Sequence, residues 1–489
     1  MKKMIKTTFL LVTLLFSKQI MAQHLKPGFD KDEFMELLKI GARTTADSTY
    51  YNSFPEPARF KLVYQSSPVG LDNLWQLWVD KDSVAVISVR GTTTTSVSFL
   101  ANLYAAMVPA KGRLVLAKDF TFNYNLSEHP KAAVHLGFLI SMAYLSRDIL
   151  PRIDSFYKHA GVKEIIIAGH SQGGAITYLL TSYLENMKKE GRLARDIKFK
   201  TCASASPKPG NLFYAYEYEN LTAGGWAYNV VNTADWVPEV PFSIQTINDF
   251  NNINPFTNAK TLIKKQKFPA NLALRHVYNR LSKPALRTQK NYEKFLGKMM
   301  SKYIKKTLPD FVPPLYFKSN NYTRTGLTIV LNADSTYYKN FPQVAVNIWF
   351  NHTQKPYMFL TTNLPDDLSK HLTAADKRLS GTWQLTYISG RRIAFEGLYP
   401  DNKPMIKIMA DSNMVAGNTS CNSFNGQINI DGNKIDFNGP MAMTMMACPG
   451  EGEAAFLEVL KKIDSYAIED DVLSLSGNEI ELMRLKKVN

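Results

Sequence analysis

Three cysteines in 489 residues are too few for a disulfide-built scaffold, and none of Cys202, Cys421 and Cys448 has metal-ligand spacing. Beyond the N-terminus no apolar run is long enough to cross a bilayer as a helix. The chain also lacks internal repeats and low-complexity segments, so a solenoid or a disordered array is not the reading. Acidic residues are scarce: 42 Asp and Glu face 58 Lys and Arg, a net charge of +16. The imbalance is local. Between Lys260 and Asp310, fourteen Lys or Arg meet two acidic residues, a net +12. No nucleic-acid-binding motif accompanies that charge, so no nucleic acid is expected as a partner.

What is present suffices for two or three domains with sizeable cores, since 45% of the residues are apolar. The first residues have the form of an export signal. Lys2, Lys3 and Lys6 form a basic start, 9–16 are apolar, and Ile20-Met21-Ala22 ends on a small residue. Residues 1–22 are therefore expected to be a signal peptide, and the mature protein to reach the bacterial periplasm or the extracellular space.

From about residue 60 to 232, β-branched runs alternate with helical periodicity. Strands are expected at 84–89, 164–168, 196–203 and 227–232, and helices at 134–157 and 175–187. Continuous apolar strands separated by helices predict an α/β fold with a mostly parallel sheet covered on both faces. Residues 251–314 read as a basic helical insertion, with Pro269 and Pro284 as breaks. A strand follows at 328–332, then a polar linker at 363–378. Beyond it, short alternating strands and one short helix at 453–463 predict a separate small β-rich domain. Domain limits of 23–370 and 379–489 follow.

A hydroxyl needs a base to make it a nucleophile, a third group to orient the base, and donors for the oxyanion. Gly169-His170-Ser171-Gln172-Gly173 stands directly between an expected strand and an expected helix, the setting of a nucleophile elbow. Gln172, next in line, would offer its N–H to the oxyanion. Arg90-Gly91-Thr92 ends the strand at 84–89 and offers Thr92 as the second donor. Asp235, in Asn232-Thr-Ala-Asp235-Trp-Val-Pro238, follows a strand and comes after the serine, in the chain order of α/β hydrolases. The alternative for each is a turn or cap residue without chemistry.

Together with Val134-His-Leu-Gly-Phe138 and Ala205-Ser-Pro-Lys-Pro-Gly-Asn211, these segments resemble the ordered motifs of the class 3 lipases, over about 61–241. The resemblance implies an α/β-hydrolase fold, carboxylic-ester hydrolysis and lipid ester substrates. It assigns Ser171 and Asp235 to a triad and Thr92 to the oxyanion hole, and makes His135 structural. No cofactor or metal is implied. The base must come from His276, His352 or His371. His352, in Trp349-Phe-Asn-His352-Thr-Gln-Lys-Pro-Tyr357, resembles the family's histidine best, although 117 residues separate it from Asp235.

Within the insertion, Tyr292, Phe295, Leu296, Met299, Met300, Tyr303 and Ile304 recur at three- and four-residue steps among lysines, predicting an amphipathic basic helix. It either lies on an anionic lipid surface or packs its apolar stripe on the hydrolase body. The C-terminal segments Gly381-Thr-Trp383, Gly417-Asn-Thr-Ser-Cys421-Asn422, Phe424-Asn-Gly426 and Thr444-Met-Met-Ala-Cys448 resemble the META domain of bacterial envelope and stress-response proteins. In an oxidising compartment Cys421 and Cys448 could pair, a gain of roughly 3–4 kcal/mol. The methionine-rich run 441–446 is expected in that domain's core. The competing reading of the whole chain is an inactive hydrolase fold serving as an envelope binding or scaffold protein.

Overall fold

The computed structural model describes residues 24–342, 347–364, 377–390, 394–410, 414–431, 434–448, 450–478 and 480–488. The signal-peptide segment, His371 and most of the expected linker lie outside them.

The first unit is built on a seven-stranded sheet: β1 (Lys61–Gln65), β2 (Trp75–Val79), β3 (Val84–Val89), β4 (Glu164–His170), β5 (Lys198–Ser204), β6 (Ala227–Asn232) and β7 (Leu327–Leu331). Their spatial order follows the chain. β1 to β3 are antiparallel, and β3 to β7 are parallel. Period-two alternation divides the apolar side chains between two cores. Ala85, Ile87, Val89, Ile165 and Ile167 face one cluster, with α3 (Leu136–Ala160) and α4 (Gln172–Lys189). Val84, Val86, Ile166, Ala168 and Cys202 face the other, with α1 (Lys31–Ala42) and α7 (Gln354–Thr362). Every residue of β3 and β6 is buried, as expected of strands covered on both faces. The covering helix α1 was not anticipated from the sequence. Asp30 caps it by accepting from Glu33 N at 2.8 Å.

Two expectations need correction here. Pro284 does not break the insertion: α5 (Ala270–Asn291) runs through it. Pro284 and Arg280 are both exposed, so water can satisfy the Arg280 carbonyl left without its helical donor. The expected apolar stripe is also split. After α5 the chain widens into a π-helical segment, Tyr292–Met299, and continues as α6 (Met300–Thr307). Tyr292, Met300 and Ile304 are buried and Leu296 is half-buried, whereas Phe295, Met299 and Tyr303 are each at least 40% exposed. Rows four residues apart share one helix edge, and only one row faces the body.

The described residues between 381 and 488 include a ten-stranded antiparallel sheet around Trp383, Phe424, Phe456, Leu473 and Leu485. A disulfide joins Cys421 to Cys448. Only Met441 of the methionine run packs partly against that core; the rest is exposed. Met443, Met445 and Met446 are 38%, 92% and 61% exposed. Met441–Met443 is an edge strand, and the backbone beyond it is held to Asn422, whose side chain bonds Met446 N, Met446 O and Thr444 Oγ1. That pinning accompanies the outward turn of Met445 and Met446. No helix among the described residues is long and apolar enough to cross a membrane.

Candidate active site

β4 enters a sharp turn and leaves as α4, with Ser171 between them. Ser171 has φ +61° and ψ −132°, a region non-glycine residues rarely occupy and one that costs about 1–3 kcal/mol. The neighbours show why the motif needs glycine at both ends. A Cβ on Gly169 would lie 2.4 Å from the Gly173 carbonyl carbon, and one on Gly173 would lie 2.2 Å from Val89 O. The turn is held by Ser171 N donating to Ser204 O at 2.9 Å.

Ser171 Oγ lies 2.7 Å from His352 Nε2, and His352 Nδ1 lies 2.8 Å from Asp235 Oδ2. Since Nδ1 must donate to the carboxylate, neutral His352 presents a free lone pair on Nε2 to the serine hydroxyl. Asp235 is fully buried and takes two further donors, Tyr357 OH at 2.9 Å and Val237 N at 3.0 Å. Burial first, and then the Asp235 charge, push the Tyr357 phenol well above its ordinary value, so it stays a donor. His276 lies on α5, exposed. Of the two described candidate bases, His276 and His352, His352 is the one the fold brings to Ser171.

The two expected oxyanion residues flank the serine. Gln172 is the first residue of α4, so its backbone N–H has no acceptor within the helix. Thr92 follows β3 and lines the same cleft as Ser171. Both side chains are tied to Asn102 on α2 (Ser96–Leu103): Asn102 Nδ2 donates to Thr92 Oγ1 and Gln172 Nε2 donates to Asn102 Oδ1, each at 2.9 Å. The loop after Thr92 is anchored by Asp72, which accepts from Arg90, Thr93 and Thr95. Partial burial would raise the Asp72 carboxyl, but those donors outweigh it and hold it low.

His170, unremarked within the motif, proves structural to the site. Its Nε2 lies 2.6 Å from His352 O, which fixes Nε2 as the protonated nitrogen, and its Nδ1 accepts from Ser204 Oγ at 2.9 Å. Burial above all pulls its basicity down to about 3, so it remains neutral while it supports the His352 backbone. His135, likewise buried and lowered to about 3 by burial, caps α3 and bonds Asn102 O at 3.2 Å. No local sequence signal separates such histidines from a base. Their partners do: the ring nitrogens of His170 bond His352 O and Ser204, those of His135 bond Asn102 O and Phe138 N, and neither reaches Ser171.

The cleft over Ser171 has a volume of about 560 Å³. Gly41 and Ala42 of α1, the following Thr44–Ala46, Phe99 of α2 and Trp349 line it, together with Arg90, Thr92 and His352.

A mostly parallel sheet, a strained serine at the β4–α4 turn and a downstream Asp and His together define an α/β hydrolase. Residues 86–245 match the family model of the class 3 lipases, and residues 377–489 match that of the META domain. The chain therefore carries a class 3 lipase domain followed by a META domain. Among curated proteins, it is 27% identical over 171 residues to Secreted mono- and diacylglycerol lipase 1 of Fusarium solani, covering 33% of this chain and 48% of that protein. It is 31% identical over 117 residues to Secreted mono- and diacylglycerol lipase MDL4 of Malassezia globosa, covering 24% and 36%. The chain spans about half the length, or less, of the curated relatives it matches. Among solved structures, the Rhizomucor miehei triacylglyceride lipase aligns at 18% identity with a TM-score of 0.34, over 44% of this chain and 77% of that one. The Lip2 lipase of Yarrowia lipolytica aligns at 21% and 0.33, over 44% and 76%.

Proposed function

We propose that the protein is an exported serine carboxylic-ester hydrolase acting on lipid esters, glyceride or phospholipid, through Ser171, His352 and Asp235. The observation that carries this reading is the unbroken bond chain from Ser171 Oγ through His352 to buried Asp235. His352 Nε2 takes the hydroxyl proton as Ser171 Oγ bonds to the ester carbonyl carbon. Negative charge moves to the carbonyl oxygen, where the N–H groups of Thr92 and Gln172 receive it. The tetrahedral intermediate collapses, the C–O bond to the alcohol breaks, and His352 returns the proton to the leaving alcohol. Water, activated by His352, then cleaves the acyl-enzyme and releases the acid. Asp235 keeps His352 oriented and offsets its positive charge in both halves.

Lipid esters are favoured over small polar esters by Phe99, Trp349 and Ala42 in the cleft. The mono- and diacylglycerol lipases among the relatives point the same way, as does their description as secreted. Contact with an anionic lipid surface through the basic insertion belongs to the same reading. Purified protein should hydrolyse a short-chain chromogenic ester and react with a fluorophosphonate probe, and Ser171→Ala should do neither. A folded wild type inert in both assays would leave the scaffold alternative.

A further inference from the structure

Besides the exposed row Phe295, Met299 and Tyr303, the insertion carries another apolar row on α5 that stays exposed among the described residues. Leu274, Val277 and Leu281 stand at i, i+3 and i+7 on that helix, exposed by 46%, 52% and 75%. Phe268, immediately before the helix, is 78% exposed. Such positions form one face, and large apolar patches on a soluble surface mark contact sites. The charge around the row is of one sign. Arg275, Arg280, Lys283, Arg287 and Lys290 are all exposed on α5, which carries no acidic residue. The nearest acidic residue downstream, Glu293, is already paired to Lys298 at 3.2 Å. An apolar row bordered by arginine and lysine fits the acyl–headgroup boundary of an anionic bilayer better than a protein groove, which would have to supply matching acids.

The insertion is also joined to the cleft's rim. Ala106 N, just beyond α2, donates to Leu296 O at 3.2 Å, and α6 packs against α2. Phe99 of α2 lines the cleft, and Leu103 is 48% exposed at the helix end. We propose that α5 is a docking element for anionic phospholipid surfaces, seating Leu274, Val277 and Leu281 in the interface while its basic side chains bind headgroups. Docking there holds the α2 rim of the cleft near the lipid. The inference deepens the esterase reading by naming the surface on which it acts, but docking itself needs no catalysis.

The test uses the full mature chain with Ser171→Ala, so that vesicles stay intact. Co-sedimentation is measured with phosphatidylcholine vesicles, with and without phosphatidylglycerol. Binding should require phosphatidylglycerol and weaken steeply with added salt. Replacing Arg275, Arg280 and Lys283 together by Gln should lower partitioning on the order of 100-fold. Replacing Leu274, Val277 and Leu281 by Ser should lower it roughly 10-fold or more, with no loss of thermal stability. Hydrolysis of a soluble short-chain ester by the otherwise wild-type chain should be unchanged in both variants. Equal binding to neutral vesicles, binding to none, preference for a nucleic acid, or self-association through this face would each overturn the docking proposal. Failure of wild type to hydrolyse the soluble ester would instead sink the esterase reading and leave the vesicle result standing.

Discussion

The Ser171 turn and helix α5 carry information in opposite ways. At the turn, position is everything. Glycines at 169 and 173 make room for passing backbone, and a strained serine is held between them. On α5 no single residue is indispensable, because the face is defined by composition: leucines and valine in a row, cations around them, acids absent. A site that makes and breaks bonds needs atoms placed to a few tenths of an ångström. A surface that meets a fluid phase needs only sign and polarity.

The contrast can be broken most severely at the turn. Ser171→Ala should reduce ester hydrolysis by about 10⁴-fold or more, measured as kcat/KM on a soluble ester, with the melting temperature unchanged or raised as the strain is relieved. Gly173→Val should fail through stability first. Its side chain would collide with the β3 backbone, so a loss of roughly 3 kcal/mol or more is expected from denaturant titration. Tyr357→Phe removes one of the donors on Asp235 and should lower kcat about 10-fold with KM nearly constant.

A pH titration sharpens the comparison. His170 and His135 are held near 3 in the folded protein and return to about 6.5 when it unfolds. The unfolded chain therefore binds more protons between those values. The stabilisation is complete above pH 6.5 and declines as the pH falls toward 3. Melting temperatures recorded at pH 7.5, 6, 5 and 4 should fall accordingly. The same decline should persist when the α5 cations are replaced by Gln, because Arg and Lys do not titrate in that window. The smallest effect is expected from Leu281→Ser, within about 0.5 kcal/mol of wild type by denaturant titration, since the side chain is 75% exposed.

The sheet strands were legible because burial on both faces demands uninterrupted β-branched runs, as in Val84–Val89 and Ala227–Asn232. The turn was legible because its steric demand falls on neighbouring residues. Helix α1 was missed because its amphipathic pattern is short and its partner strands lie far along the chain. Pro284 was misjudged because a helix tolerates proline where water can take the orphaned carbonyl. The methionine run was misjudged because hydrophobicity does not reveal an edge strand tethered to Asn422.

By itself the sequence determined the strand–turn–helix around Ser171, since the glycines its sterics require stand beside the serine in sequence, even though Gly173 makes room for Val89 of β3. It likewise determined the excess of positive charge in the insertion, which is a matter of composition. Only the tertiary structure decided which histidine stands beside the serine. His352 is 181 residues from Ser171, and what brings them to 2.7 Å is the packing of β4, β6 and α7 together with the His170–His352 bond. Only the tertiary structure, too, decided which apolar row of the insertion is buried and which is left to solvent, because that depends on the surface the helix meets.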